Sequence, residues 1–250
     1  MKQLIYIVFF IGFVVNAQQN RAYKDGEKIK FRIHYGIINA GYASIQVQET
    51  TINNQKYEHV IGKGWTTGML RWVFPVEDDY QSFINKKTGL PTRAIRKIKE
   101  GKYTKNVELF FEKDSVLTVD HKRNKEKRVA AKDVQDMIAA FYYLRNNVPD
   151  SLKVDESIAM NLFFDHKKFP FKLTKLRKEN LKTKFGDVEC FVFRPMVQSG
   201  RVFKEKESLS IWITADKNRI PVRIQADLAV GSLKADIDEY KGLLHPFNAQ

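Results

Sequence analysis

The groups with which catalysis or metal binding would have to begin are few in this 250-residue chain: five histidines, one cysteine and scattered carboxylates. His34, His59, His121, His166 and His245 stand far apart. A zinc or iron site needs histidines or cysteines in short register, such as two histidines one helical turn apart, and no such register is present. Cys190 alternates with Val188 and Val192 in the stretch VECFV, the pattern of a strand's dry face. A thiol becomes a nucleophile where a cation or helix terminus lowers its pKa, so among these apolar neighbours a free buried thiol is expected. No metal and no cofactor are expected.

The carboxylates give equally little. Glu77-Asp78-Asp79 lacks the alternating oxygen ligands and the turn glycine of a calcium loop. Asp236, Asp238 and Glu239 belong to the outward face of a strand pattern, and nothing singles out a pair for glycoside hydrolysis. GxSxG, P-loop, GxGxxG and CxxC motifs are absent. The expectation is a protein without catalytic residues.

Two features point to binding instead. The chain carries 43 Lys and Arg against 29 Asp and Glu, a formal charge of +14. The excess gathers in Arg93–Lys105, His121–Arg128 and Lys167–Lys184, and Arg93, Arg96, Lys97, Lys122, Arg123 and Arg128 are the candidate surface for an anionic partner. The bland alternative is that these cations merely solvate exposed strand faces. The second feature is WTTGMLRWVFPV, Trp65–Val76, the most apolar stretch outside the N-terminus. Trp65, Met69, Leu70, Trp72 and Phe74, with Phe141, are the candidate hydrophobic ligand face; the same stretch also suits a core strand.

The elements that must position these residues follow from periodicity. Met1-Lys2, the apolar Leu4–Val15 and Val15-Asn16-Ala17 form a secretory signal peptide over residues 1–17, with cleavage before Gln18. No other stretch approaches the roughly 18 uncharged residues that span a bilayer, so residues 18–250 are expected to be one exported, soluble, β-rich domain in the periplasm, either free or peripheral to the outer membrane. Export and the lack of RNA-binding or helix-turn-helix patterns argue against nucleic acid. From Lys28 onward, strands and polar turns follow one another every eight to twelve residues. Gly62 and Gly64 inside one strand suggest a bulge or sharp curvature. Residues 19–25 read as a loose leader. One helix interrupts the meander at Asp133–Asn147, with Asp133 as N-cap and Val134, Met137, Ile138, Phe141 and Leu144 as an apolar stripe. Leu209–Tyr240 reads as three consecutive strands, Leu209–Thr214, Val222–Val230 and Leu233–Asp238. The expected fold is mainly β, a single curved antiparallel sheet or incomplete β-barrel with one covering α-helix.

Six segments stand out in order along the chain: Gly26-Glu27 with the strand that follows, Tyr35–Gly41, Asp79–Ser82, Thr88–Pro91, Ala140–Arg145, and Ile211–Asp216 through Pro221–Ile224 to Gly231. Together they resemble the bacterial exported-protein family called domain of unknown function 3108. The resemblance implies an exported β-rich protein and transfers no catalytic residues. The strand-turn-strand ending is also similar in architecture to lipoprotein carriers of the LolA/LolB type, half-barrels whose concave face is covered by helices. Fold likeness alone does not give function.

Three readings follow. The first is a non-enzymatic periplasmic protein holding a lipid, lipopolysaccharide-like or other hydrophobic envelope molecule. The second is an interaction module for an envelope protein of an outer-membrane assembly, and a hydrolase is a distant third. A hollow concave face marks the carrier, and a filled core with an exposed flat patch marks the module.

Overall fold

Alternation of apolar and polar side chains folds the described residues of this chain into fifteen strands of one sheet. The structure is a computed structural model that describes residues 21–196 and 209–250; the signal peptide expected at residues 1–17 lies outside them. The first eight strands are β1 (Lys28–Tyr35), β2 (Ile38–Ile52), β3 (Gln55–Thr66), β4 (Glu77–Asn85), β5 (Pro91–Glu100), β6 (Tyr103–Phe111), β7 (Ser115–Asp120) and β8 (Lys125–Ala130). The rest are β9 (Val134–Gln135), β10 (Ser157–Phe164), β11 (Lys167–Thr183), β12 (Gly186–Met196), β13 (Leu209–Thr214), β14 (Pro221–Asp227) and β15 (Ser232–Lys241). Helix α1 is Gly68–Val73 and helix α2 is Met137–Asn147.

The chain starts in the middle of the sheet. It meanders outward from β1 to the edge strand β8, crosses through β9 and α2 to the opposite edge, and meanders back from β10 until β15 lies antiparallel beside β1. Only the short β9–β10 pairing is parallel among the described strands. The sheet curls around α2, which packs on both β4 and β10, strands far apart in the order. Phe111 of β6 and Phe163 of β10 meet edge to face at 6.5 Å, and Asp165 after β10 accepts from Arg96 of β5 at 3.0 Å and Lys105 of β6 at 2.6 Å. Side chains rather than a ladder thus draw the two halves together, and the barrel stays open.

The concave side is full. Ala139 and Tyr142 of α2 pack against Val47, Val60 and Ile84, and Leu144 packs against Leu173, Phe193 and Ile213; Ile29, Val188, Val192, Trp212 and Val222 belong to a further buried cluster. A fully buried Val, Ile or Phe side chain stabilises by roughly 1.5–3 kcal/mol, so these clusters carry the fold. Cys190 is fully buried among them.

Local expectations fared unevenly. Helix α2 begins at Met137, not Asp133, because Asp136 supplies the cap: its Oδ1 accepts from the N–H groups of Ile138 and Ala139 at 2.8 and 3.0 Å. Asp133 instead has left-handed backbone at φ 51°, and Val134–Gln135 pair with Asn161 and Leu162 as β9. Residues 21–25 are not a loose leader, since Ala22 and Tyr23 are buried in the cluster beneath α2. Gly62 and Gly64 cause no bulge, for β3 pairs without a register shift on both sides. Gly62 instead lets α2 approach: a Cβ there would sit 3.4 Å from Ile138 Cδ1. The basic stretch around Lys125–Arg128 is itself edge strand β8, whose lysines discourage pairing with another chain. Residues 167–183, read above only as a basic stretch, form one long strand.

Candidate functional site: an apolar rim at one end of the sheet

In a meander, alternate turns lie at the same end. The turns β1–β2, β3–β4, β5–β6, β7–β8, β10–β11 and β14–β15 therefore share one rim. Contacts join them. Tyr35 Oη at the end of β1 donates to the Val230 carbonyl in the β14–β15 turn at 2.8 Å. Thr67 N before α1 donates to the Ala40 carbonyl of β2 at 3.2 Å. The Phe74 ring after α1 lies over Gly101, whose missing Cβ would stand 3.0 Å from it. Lys122 Nζ reaches Thr104 Oγ1 across the next turn.

This rim is apolar and wet. Ile37 is 98% exposed, Trp72 89%, Met69 83% and Val230 77%. Ile38, Leu70, Val73, Phe74, Leu228 and Leu233 are exposed beside them. Helix α1, GMLRWV, has no buried residue at all. A six-residue helix is marginal in water without tertiary packing, so an apolar one held at a loop tip presents side chains rather than burying them. Large apolar side chains clustered this way mark interaction surfaces.

Cations border the tip. Lys102 follows Gly101, Lys122 and Arg123 occupy the β7–β8 turn, and Lys167 and Lys168 follow the β10–β11 turn, all exposed. Among the described residues, Lys102, Lys122, Lys167 and Lys168 have no carboxylate partner; of the acids nearby, Glu77, Asp120 and Asp165 are paired, while Asp78, Glu100 and Glu126 have no ion pair. Glu77 pairs with Lys99 at 3.1 Å, Asp120 with Arg123 at 3.4 Å, and Asp165 with Lys105 at 2.6 Å. Hydrogen bonding to Lys99 holds the Glu77 carboxyl below its ordinary pKa.

The residues singled out from sequence are thus only partly brought together. Met69, Leu70, Trp72 and Phe74 share the rim; Trp65 is half-buried at the end of β3, its ring 6.0 Å from Tyr42. Phe141 lies apart on α2, edge to face with Tyr142 at 5.0 Å. Of the basic set, Lys122 and Arg123 are on the rim. Arg93 and Lys97 face outward from β5, Arg93 paired with Glu108, and Arg128 at the far end of β8 pairs with Glu112. Arg96 points into the sheet's concave side, over the Phe164 ring at 4.2 Å and bound to Asp165. Sequence reasoning missed Ile37, Ile38 and Val230, whose signal was a large apolar residue placed in a turn where polar residues belong.

Interior space is scant. A polar cavity of about 190 Å³, lined by Arg21, Glu58, Lys86, Tyr143 and Asn146 among others, lies at the opposite end, and one of about 20 Å³ lies by Asp136 and Phe163. Both fall below the ~300–1,000 Å³ of ordinary small-molecule sites. Among the described residues, no group of three or more His, Cys, Asp or Glu is placed to hold a metal ion, and burial pushes the Cys190 thiol up to about 12. No described helix is long and apolar enough to cross a membrane.

The same architecture occurs in a solved structure titled as a beta-barrel-like protein of domain of unknown function DUF1849 from Brucella abortus. The two chains are 10% identical and superpose with a TM-score of 0.57 over 88% of this chain and 98% of that one. A DUF1089 family protein from Pseudomonas aeruginosa aligns with a TM-score of 0.38 and 8% identity over 72% of this chain and 87% of that one. A search of curated proteins returns no match. The segments Gly26-Glu27, Ala140–Arg145 and Ile211–Asp216 converge where α2 meets β1 and the β13–β14 turn, and the model that describes such chains matches residues 30–238: the protein belongs to the family of unknown function DUF3108.

Proposed function

We propose that this is an exported, non-enzymatic protein of the cell envelope that binds a hydrophobic envelope component by docking against it, not by enclosing it. The observation that carries this reading is the rim: Ile37, Met69, Trp72 and Val230 stand at least three-quarters exposed on three touching turns, beside a concave side packed with α2. Export rests on the leader pattern of residues 1–17. A carrier needs an interior that fits an acyl chain, and a cavity of about 190 Å³ lined by charged and amide groups does not supply one. Docking needs only that water be removed from apolar side chains already gathered at one surface, worth roughly 25 cal/mol per Å².

The test is two measurements on chain Gln18–Gln250 purified from the periplasm without detergent. Native mass spectrometry should give an apo mass, and vesicles made from total envelope lipid should sediment the protein, with binding lost in Met69→Asp/Trp72→Asp. Stoichiometric retention of a lipid that survives the double substitution overturns the reading.

A further inference from the structure

We infer that the rim is a membrane-docking face selective for anionic phospholipid; this rests on the docking reading above and names its partner. Two observations carry it. The apolar side chains are not a flat patch. They are tips on separate turns, the Ile37 tip of β1–β2, the α1 tip with Met69 and Trp72, and the Val230 tip of β14–β15. Tips that are each almost wholly exposed match a fluid that flows around them, whereas a protein partner would need a separate pocket for each. Tryptophan at such a tip suits the headgroup level, where an amphipathic ring has both an apolar and a wet neighbour.

The second observation is charge. The cations bordering the tips on the β5–β6, β7–β8 and β10–β11 turns include Lys102, Lys122, Lys167 and Lys168, which have no carboxylate partner among the described residues. Asp120 and Asp165 of these turns are neutralised locally by Arg123, Lys105 and Arg96, whereas Glu100 and Glu126 at the ends of the β5–β6 and β7–β8 turns have no cation partner among the described residues. Insertion of the tips therefore brings unneutralised lysines to headgroup level on one side, while the polar opposite end, with the cavity around Arg21 and Glu58, stays in water. A zwitterionic surface offers these lysines nothing, and an anionic one adds roughly fivefold in binding for each lysine near it.

The experiment uses Gln18–Gln250 with three probes: phosphatidylcholine vesicles, the same vesicles containing phosphatidylglycerol, and envelope fragments that keep their proteins. Expected are binding to the phosphatidylglycerol vesicles that weakens steeply with salt, and a blue shift of tryptophan emission that is absent in Trp72→Phe. Lys102→Ser and Lys122→Ser should each cost roughly fivefold on those vesicles. Equal, salt-insensitive binding to both vesicle types overturns the anionic selectivity and leaves docking intact. Binding to the protein-bearing fragments alone, or a dimer that shields Trp72 from quenchers, overturns the membrane assignment. No binding to any probe overturns the docking reading as well.

Discussion

Arg145 on α2 and Glu27 at the start of β1 form a fully buried ion pair, with Arg145 Nη2 donating to Glu27 Oε2 at 2.8 Å. Further guanidinium hydrogens reach backbone carbonyls. Nε donates to the Asn218 carbonyl at 3.1 Å, and Nη2 to the carbonyls of Ala22 and Asn218 at 3.1 and 2.9 Å. Helix, first strand and the β13–β14 turn are clasped at one point, which fixes α2 in the curl of the sheet. Removing one partner strands a buried charge, so Glu27→Ala should cost about 3–5 kcal/mol. The double variant Glu27→Leu/Arg145→Leu should recover part of that loss, because it abandons no charge. Urea denaturation of the variants decides it: a single variant as stable as the parent would show that the pair holds nothing.

Asp136 gives a pH dependence of known sign. Burial raises its carboxyl pKa above the ordinary aspartate value, even though Ser82 Oγ donates to it at 2.6 Å and two helix N–H groups point at it. The folded chain therefore holds this proton more tightly than the unfolded one. Its contribution is fully present below the unfolded value of about 3.9 and is lost as pH rises through the folded value. Asp136→Asn keeps the Oδ1 cap and carries no charge, so its stability should change less than the parent's as pH rises through that window. Asp136→Ala loses the cap and should cost about 0.5–2 kcal/mol at any pH. Thermal melts at a series of pH values check both.

Gly41 sits inside β2 opposite Thr66, where a Cβ would drive into the Trp65 carbonyl oxygen and stand 3.0 Å from Thr66 Cα. Both neighbours are backbone and cannot swing away. Gly41→Ala should destabilise by about 1–3 kcal/mol, as overpacking does. Gly64→Ala, whose Cβ would meet only Asp78 Cβ at 3.9 Å, should be close to neutral. Equal stability of the two variants would refute the close approach.

Glycines 41 and 62 also mark where sequence reading stops. The alternation Leu209-Ser210-Ile211-Trp212-Ile213 is a local property of the pleat, so β13 and its neighbours were legible from sequence. That Gly62 lies under Ile138, or that the chain begins mid-sheet with β15 returning to β1, depends on contacts far apart in sequence, which periodicity does not record. Strand β8 was illegible because KEKRVA has the composition of a solvated loop and pairs on one side only, through β7. The apolar stretch 65–76 was visible as apolar, but burial is the default for such residues. Only the tertiary position of α1, anchored at Thr67 and Phe74 with none of its residues buried among the described ones, turns it into a surface.

That exposure makes a final prediction that separates surface from core. If Met69 and Trp72 contribute no packing to the folded chain, Met69→Ser/Trp72→Ser should leave urea stability within about 0.5 kcal/mol of the parent, the range of surface changes away from structural features. Phe193→Ala, in the fully buried cluster with Leu173 and Ile213, should cost about 3–5 kcal/mol through lost transfer energy and a cavity. The rim variant should also bind less of an apolar reporter dye and stay soluble at higher concentration, since the side chains removed are those that meet water. A rim variant destabilised as much as the Phe193 variant would mean that α1 is packed in solution, and the docking surface would not exist as described.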